Sequence, residues 1–296
     1  LLPSLRSLNP TLLTSREIPN YTCYPVSPKM TPEQGSRGHF ARLWWTQFQL
    51  PKIYRNLRSR LFFSPVTEAP LFVGCRSIVM VHDLIPLRFP RNFSPLTNYT
   101  RYWVPLVLRQ AEHIICNSQA TAQDITQFFK IPSQKITAIP LAYQADHFRF
   151  LDLPKHNYFL YLGRIDPYKN VERLITAFAN LPQRSHYELW IAGPADSRFL
   201  PDLIAQIEQL HLTAQVKFLN YVSYDELPRL INQAIALVFP SLWEGFGLPV
   251  LEAMACGTPV ITSQVSSLPE VAGTAALLID PYQVAAITDA MQAVAN

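Results

Sequence analysis

Residues 158–178, YFLYLGRIDPYKNVERLITAF, decide how the chain is read. An apolar run from Tyr158 to Leu162 is closed by Gly163 and Arg164, the chain turns through Pro167, and a helical pattern starts near Asn170. The same alternation continues through ELWIAG, RFLPDLIAQIEQL, VKFL, SYDELPRLINQA, AIALVFP, PVLEAMAC, PVITS, AALLID and QVAAITDAMQAV. Apolar runs separated by helical patterns predict a parallel sheet wrapped by helices.

Working back from Tyr158, the first half is less regular but holds similar units. RLFFSP, SIVMVHDL, EHIICNS and KITAIPLA read as strands, with helices around LTNYTRYWVPLVLRQA and ATAQDITQFF. The polar, aperiodic stretch YQADHFRFLDLPKHN marks a domain boundary, so we expect a domain over 1–150 and another over 151–296. The expected fold class is α/β, with two doubly wound domains facing each other. Both ends read as cut: LLPSLRSLNP resembles a helix already under way, and DAMQAVAN stops inside one.

A chain of 296 residues, 49% hydrophobic, can fill two cores, which excludes a disordered protein. No apolar run reaches the roughly 18–20 residues that cross a bilayer, and no segment reads as a signal peptide. The four cysteines are scattered without zinc-like or redox-like spacing, so free thiols in a reducing cytosol are expected. Net charge is +4, but residues 1–60 carry nine Lys/Arg against Glu17 and Glu33, a net +7. Arg37, Arg42, Lys52, Arg55, Arg58 and Arg60 flank LWWTQFQL. That combination suits peripheral contact with an anionic membrane or a lipid-linked substrate, but the favoured expectation from sequence is a solvated helix face with buried aromatics.

Ligands of open α/β sheets sit beyond the carboxyl ends of strands, which directs attention to three places. In SLWEGFGLPVLEAMACGTPV, residues 241–260, Glu244 follows a strand and Gly245, Phe246 and Gly247 can bring bare backbone N–H groups to a ligand. Pro249 suits the first helical turn, and the helix N-terminus offers donors to phosphate or sugar hydroxyls, with Glu252 a turn further in. On these residues alone Glu252 could instead merely complement the helix dipole, with Glu244 solvated. Arg164 and Lys169, two cations beside a helix N-terminus, suit a diphosphate, although each could pair with a surface acid such as Asp166. His82 and Asp83 directly follow a strand; His82 is either a turn residue or a group that bonds a substrate hydroxyl.

Together FLYLGRIDPYKNVERLITAF, LWIAGPAD, VFPSLWEGFGLPVLEAMACGTPVITS and SSLPEVAG resemble the donor-binding half of family 4 glycosyltransferases, retaining enzymes of the GT-B fold. LWWTQFQLP, FFSP, MVHDLIPLRFP and EHIICNSQATAQDI resemble its mannosyltransferase-like members. The resemblance implies that Arg164 and Lys169 hold the diphosphate of a nucleotide sugar and that Glu244 faces the transferred hexose. Gly245, Phe246, Gly247 and Leu248 would surround its hydroxyls and phosphate, Glu252 would accept from the ribose, and His82 would lie near the anomeric centre. It further implies transfer with retention to a glycan or lipid-linked acceptor. The leaving phosphate would take the acceptor proton, with no cofactor and no protein-bound metal, in the cytoplasm or peripherally at the inner membrane face. The sequence departs from the family in carrying LAYQAD where NG(V/I)D is usual, and in its opening strand, glycine-rich loop and closing helix, which we do not find. The alternatives are a non-catalytic nucleotide-sugar-binding fragment, or an epimerase or phosphorylase on a similar frame; a dinucleotide dehydrogenase is disfavoured because no G-x-G-x-x-G follows a strand.

Overall fold

A computed structural model describes residues 2–31 and 34–295. Twelve strands are present among them: β1 (Thr11–Thr14), β2 (Thr22–Pro25), β3 (Phe62–Ser64), β4 (Ser77–Val81), β5 (His113–Cys116), β6 (Ile136–Ala138), β7 (Tyr158–Leu162), β8 (Glu188–Ala192), β9 (Val216–Asn220), β10 (Ala236–Phe239), β11 (Val260–Ser263) and β12 (Leu277–Ile279). The chain groups into two compact units, Leu1–Val79 with Leu106–Glu112, and Met80–Pro105 with His113–Asn296.

In the first unit β1 pairs with β2 and β3 pairs with β4, both in parallel. The β1–β2 pair has no counterpart in the sequence expectation, because its strands are short, lack a sustained apolar run and, in β2, end on Pro25. The helix Gly35–Phe48 carries Phe40, Trp44 and Phe48 at four-residue spacing, hence along one face. These rings are 70%, 50% and 57% exposed, so this face is not the buried aromatic stripe that a solvated helix would keep inside. Arg42 from the same helix forms a two-pronged ion pair with the buried Glu68, at 2.7 and 2.8 Å, whereas Arg37, Lys52, Arg55, Arg58 and Arg60 are exposed.

The helix expected around LTNYTRYWVPLVLRQA is interrupted. Pro105 has no N–H to donate, and the preceding turn, Tyr99–Trp103, is widened so that the Val104 N–H bonds the Tyr99 carbonyl five residues back.

In the second unit β5 and β6 pair in parallel, and β7–β12 form one parallel six-stranded sheet in the order β12-β11-β10-β7-β8-β9. All of β7, β10 and β11 is buried, as strands covered on both faces by helices require. The helix Val171–Ala179 buries Val171, Leu174, Ile175, Ala177 and Phe178 against this sheet's core. Among the described residues no helix is long and apolar enough to cross a membrane, and no group of three or more His, Cys, Asp or Glu could hold a metal ion.

Candidate functional site

The strand order locates the site. From β7 the chain moves outward to β8 and β9, then returns to the other side of β7 as β10. The loops leaving the carboxyl ends of β7 and β10 therefore diverge from neighbouring strands, which opens the crevice where such sheets bind ligands.

The two loops are stitched together. Pro167–Lys169 is a single 3-10 turn closed by the Lys169 N–H on the Asp166 carbonyl (2.8 Å), and Asn170 follows in the left-handed region at φ 64°. The Asn170 amide donates to the carbonyls of Pro240 (3.0 Å) and Pro281 (2.7 Å), and the Leu242 N–H donates to the Tyr168 carbonyl (2.7 Å). This geometry carries Lys169 to Glu244: Nζ donates to Oε1 at 2.6 Å, both side chains nearly buried. Burial and the nearby carboxylates push the Tyr168 phenol up to about 12.

The turn after Glu244 is fixed from several sides. The Glu244 N–H donates to the Ser266 hydroxyl (2.8 Å), and the Ser267 hydroxyl lies in range of the carbonyls of Glu244 (3.0 Å) and Phe246 (2.7 Å). A Cβ on Gly245 would stand 2.2 Å from the His82 carbonyl oxygen, so no other residue fits there without movement. The Ser118 hydroxyl donates to the Gly245 carbonyl at 2.6 Å. Gly247, at φ 112°, starts the helix Leu248–Ala255, whose first turn receives no side-chain cap. Ahead of Glu244, the Arg88 guanidinium lies over the Trp243 ring at 4.1 Å while bonded to the buried Asp124 and to Gln127.

At the end of β4, the backbone of His82 lies against Gly245 and its side chain is exposed. Asp83 accepts the Ile85 N–H at 3.0 Å. Burial raises its carboxyl above the usual range, outweighing that bond and the lowering influence of the nearby Lys169 and His82.

Arg164 is 59% exposed, its Nε 3.0 Å from Asp166 Oδ2. Asp166 is not the surface acid that the sequence suggests: its side chain is 5% exposed, and its other oxygen accepts Arg91 Nη2 at 2.6 Å. Glu252 lies half-buried in the helix Leu248–Ala255; burial raises its carboxyl, opposed by His147, whose ring stacks on Tyr224 at 4.0 Å. Thus Lys169, Glu244, the 245–248 turn and the His82 backbone meet, Arg164 is held beside them by Asp166, and Glu252 stands one turn along the helix.

Sequence reasoning did not select Arg88, Arg91, Ser118, Trp243, Ser266 or Ser267. Asp166 was within reach of it, lying between two residues already chosen; Arg91 was not, since only tertiary packing brings the 89–94 segment to this loop.

Comparison with known proteins matches residues 144–296 to the family model described as glycosyl transferases group 1, more than half of the chain, and residues 15–146 to glycosyltransferase family 4. The chain belongs to the group 1 glycosyl transferases. Among the relatives of this glycosyl transferase chain is the O-antigen chain mannosyltransferase B of Escherichia coli, 35% identical over 229 residues, 72% of this chain and 59% of that protein. Another is the O-antigen chain mannosyltransferase RfbU of Salmonella typhimurium, 32% identical over 203 residues, 69% of this chain and 56% of that protein. The chain thus spans less than two thirds of the length of either. Among solved structures, sucrose-phosphate synthase from Thermosynechococcus elongatus superposes with a TM-score of 0.72 at 20% identity, covering 94% of this chain and 75% of that one. Anabaena HepE, solved in complex with UDP and glucose, gives 0.70 at 22%, covering 92% and 76%. The fold is therefore the GT-B fold of these proteins, as the sequence motifs led us to expect.

Proposed function

We propose that the protein is a retaining hexosyltransferase that moves a sugar, mannose by analogy with its relatives, from a nucleotide sugar to a glycan or lipid-linked acceptor. The observation that carries this reading is the Lys169–Glu244 pair at the β7/β10 crevice, beside an uncapped helix N-terminus that opens with Gly247. Arg164, Lys169 and that N-terminus stabilise the leaving diphosphate; Glu244 and the amides of 245–248 hold the sugar; Glu252 accepts from the ribose; His82 lies on the acceptor side. In the transfer step the bond from the anomeric carbon to the diphosphate oxygen breaks, the acceptor oxygen bonds that carbon from the same face, and its proton passes to the departing phosphate. The charge stabilisation needed is assigned to these residues without a protein-bound metal.

Glu244→Ala should abolish transfer, assayed by mass spectrometry of donor consumption, while still unfolding in one cooperative thermal transition, shifted down because Lys169 loses its nearly buried partner, and a chelator added to the wild-type assay should leave its rate unaltered. Near-normal transfer by Glu244→Ala would overturn the role of Glu244; loss of transfer with chelator would overturn the metal-free assignment. Donor consumed without acceptor would favour epimerisation, and nucleoside diphosphate binding without any product would favour the binding-only alternative.

We also propose that the helix Gly35–Phe48 rests on an anionic membrane surface at the cytoplasmic face, near a lipid-linked acceptor. The support is the exposed Phe40, Trp44 and Phe48 face together with exposed Arg37, Lys52, Arg55, Arg58 and Arg60.

A further inference from the structure

Arg164 has two carboxylates within reach, and each already has a second arginine. Asp166 receives Arg164 Nε on Oδ2 and Arg91 Nη2 on Oδ1. Asp196 Oδ2 stands 4.0 Å from Arg164 Nη2 but is gripped by Arg198, whose Nε meets Oδ1 at 2.9 Å and whose Nη2 meets Oδ2. Three guanidinium ions against two carboxylates leave a net charge of +1 beside the Lys169–Glu244 pair. Arg91 is held in direction by Phe199, whose ring centre lies 5.3 Å from its guanidinium carbon.

We propose that Arg91 is a positioning residue for the diphosphate subsite, acting through Asp166 to keep Arg164 available; this rests on the donor-binding reading above. A buried carboxylate with one arginine removed turns both oxygens to the arginine that remains, because the fork-to-fork pair is the best geometry available to it. Without Arg91, Asp166 would therefore take Nε and a terminal nitrogen of Arg164 together, and the net charge facing an incoming diphosphate would fall to zero. With Arg91 in place, Asp166 holds Arg164 by Nε and leaves its terminal nitrogens outside that pair. Asp166 serves as the orienting group, and Arg91 prevents it from becoming a trap.

The test is calorimetric titration of UDP, GDP, ADP and dTDP, each separately, into the wild-type protein, Arg91→Gln, Arg91→Lys and the double variant Arg91→Gln/Asp166→Asn. For whichever diphosphate the wild type binds, Arg91→Gln should weaken binding by about tenfold or more. Arg91→Lys should recover part of the loss. The double variant should bind more tightly than Arg91→Gln alone, because removing the trap frees Arg164; a purely structural role for Arg91 gives the opposite order. Should Arg91→Gln fail to fold, Arg91→Lys must bind more weakly than wild type and the double variant must retain measurable binding. Wild type binding none of the four would overturn the donor reading itself. Wild-type-like affinity in Arg91→Gln, or a double variant no better than Arg91→Gln, would overturn this inference and leave the donor reading standing.

Discussion

Glu252 is half-buried, burial raises its carboxyl, and among the described residues its side chain makes no hydrogen bond or ion pair. A raised folded-state pKa means that the folded protein holds the proton more tightly than the unfolded chain does. Its contribution to stability is most favourable below the ordinary carboxyl value of 4.5, is lost as pH rises through the folded value, and stays a constant penalty above it. Glu252→Gln should therefore raise the melting temperature at pH 7, with a smaller gain near pH 4; on the proposed donor reading it should also weaken nucleoside diphosphate binding, because an amide oxygen is a poorer acceptor for the ribose than a carboxylate. A lower melting temperature at pH 7 would contradict the unpartnered reading of this carboxylate. Glu244, Lys169 and Arg164 were legible in the sequence because strand, turn and helix start are local patterns that say where a side chain emerges. Arg91, Ser118 and Arg88 were not, because their partners Asp166, Gly245 and Trp243 are brought to them only by tertiary packing.

Among the elements, the helix Gln119–Phe129 shows how a terminus is finished by residues far away in the chain. Ser118 caps it locally by accepting the Thr121 N–H at 3.1 Å. Glu270, from the helix Leu268–Ala272, places one carboxylate oxygen on the Gln119 N–H (2.8 Å) and the other on the Ala120 N–H (3.0 Å). Negative charge at this end also suits the helix dipole. Removing it with Glu270→Ala should cost about 1 kcal/mol in denaturant unfolding, with Glu270→Gln recovering part of the loss. An unchanged midpoint in Glu270→Ala would show the bridge to be inert. The strands from β7 onward were legible as short apolar runs, unbroken in β7 and β10 and interrupted by Lys217 in β9, and the helices between them as periodic ones. Strand order was not, since a run such as AIALVFP carries no mark of its neighbour, and it is the placing of β10 beside β7 that makes Lys169 meet Glu244.

For the molecule as a whole, the excess of positive charge in residues 1–60 was visible from composition, but the outward direction of the aromatic face was not, because periodicity tells which residues share a face and not which way it points. If this face rests on lipid, the protein should float with vesicles containing anionic lipid and should float poorly with neutral ones. The Phe40→Ser/Trp44→Ser/Phe48→Ser variant should lose most of that binding. Equal flotation of variant and wild type, or indifference to lipid charge, would remove the membrane role. The second compact unit, by contrast, draws residues 80–105 and 113–150 into the same body as the six-stranded sheet. Arg91 with Asp166, Ser118 with Gly245, and Glu270 with Gln119 are consequently pairs that recombination must inherit together. A hybrid that joins two relatives near residue 150 would separate all three, whereas one that exchanges the chain from Met80 onward would keep each matched set intact.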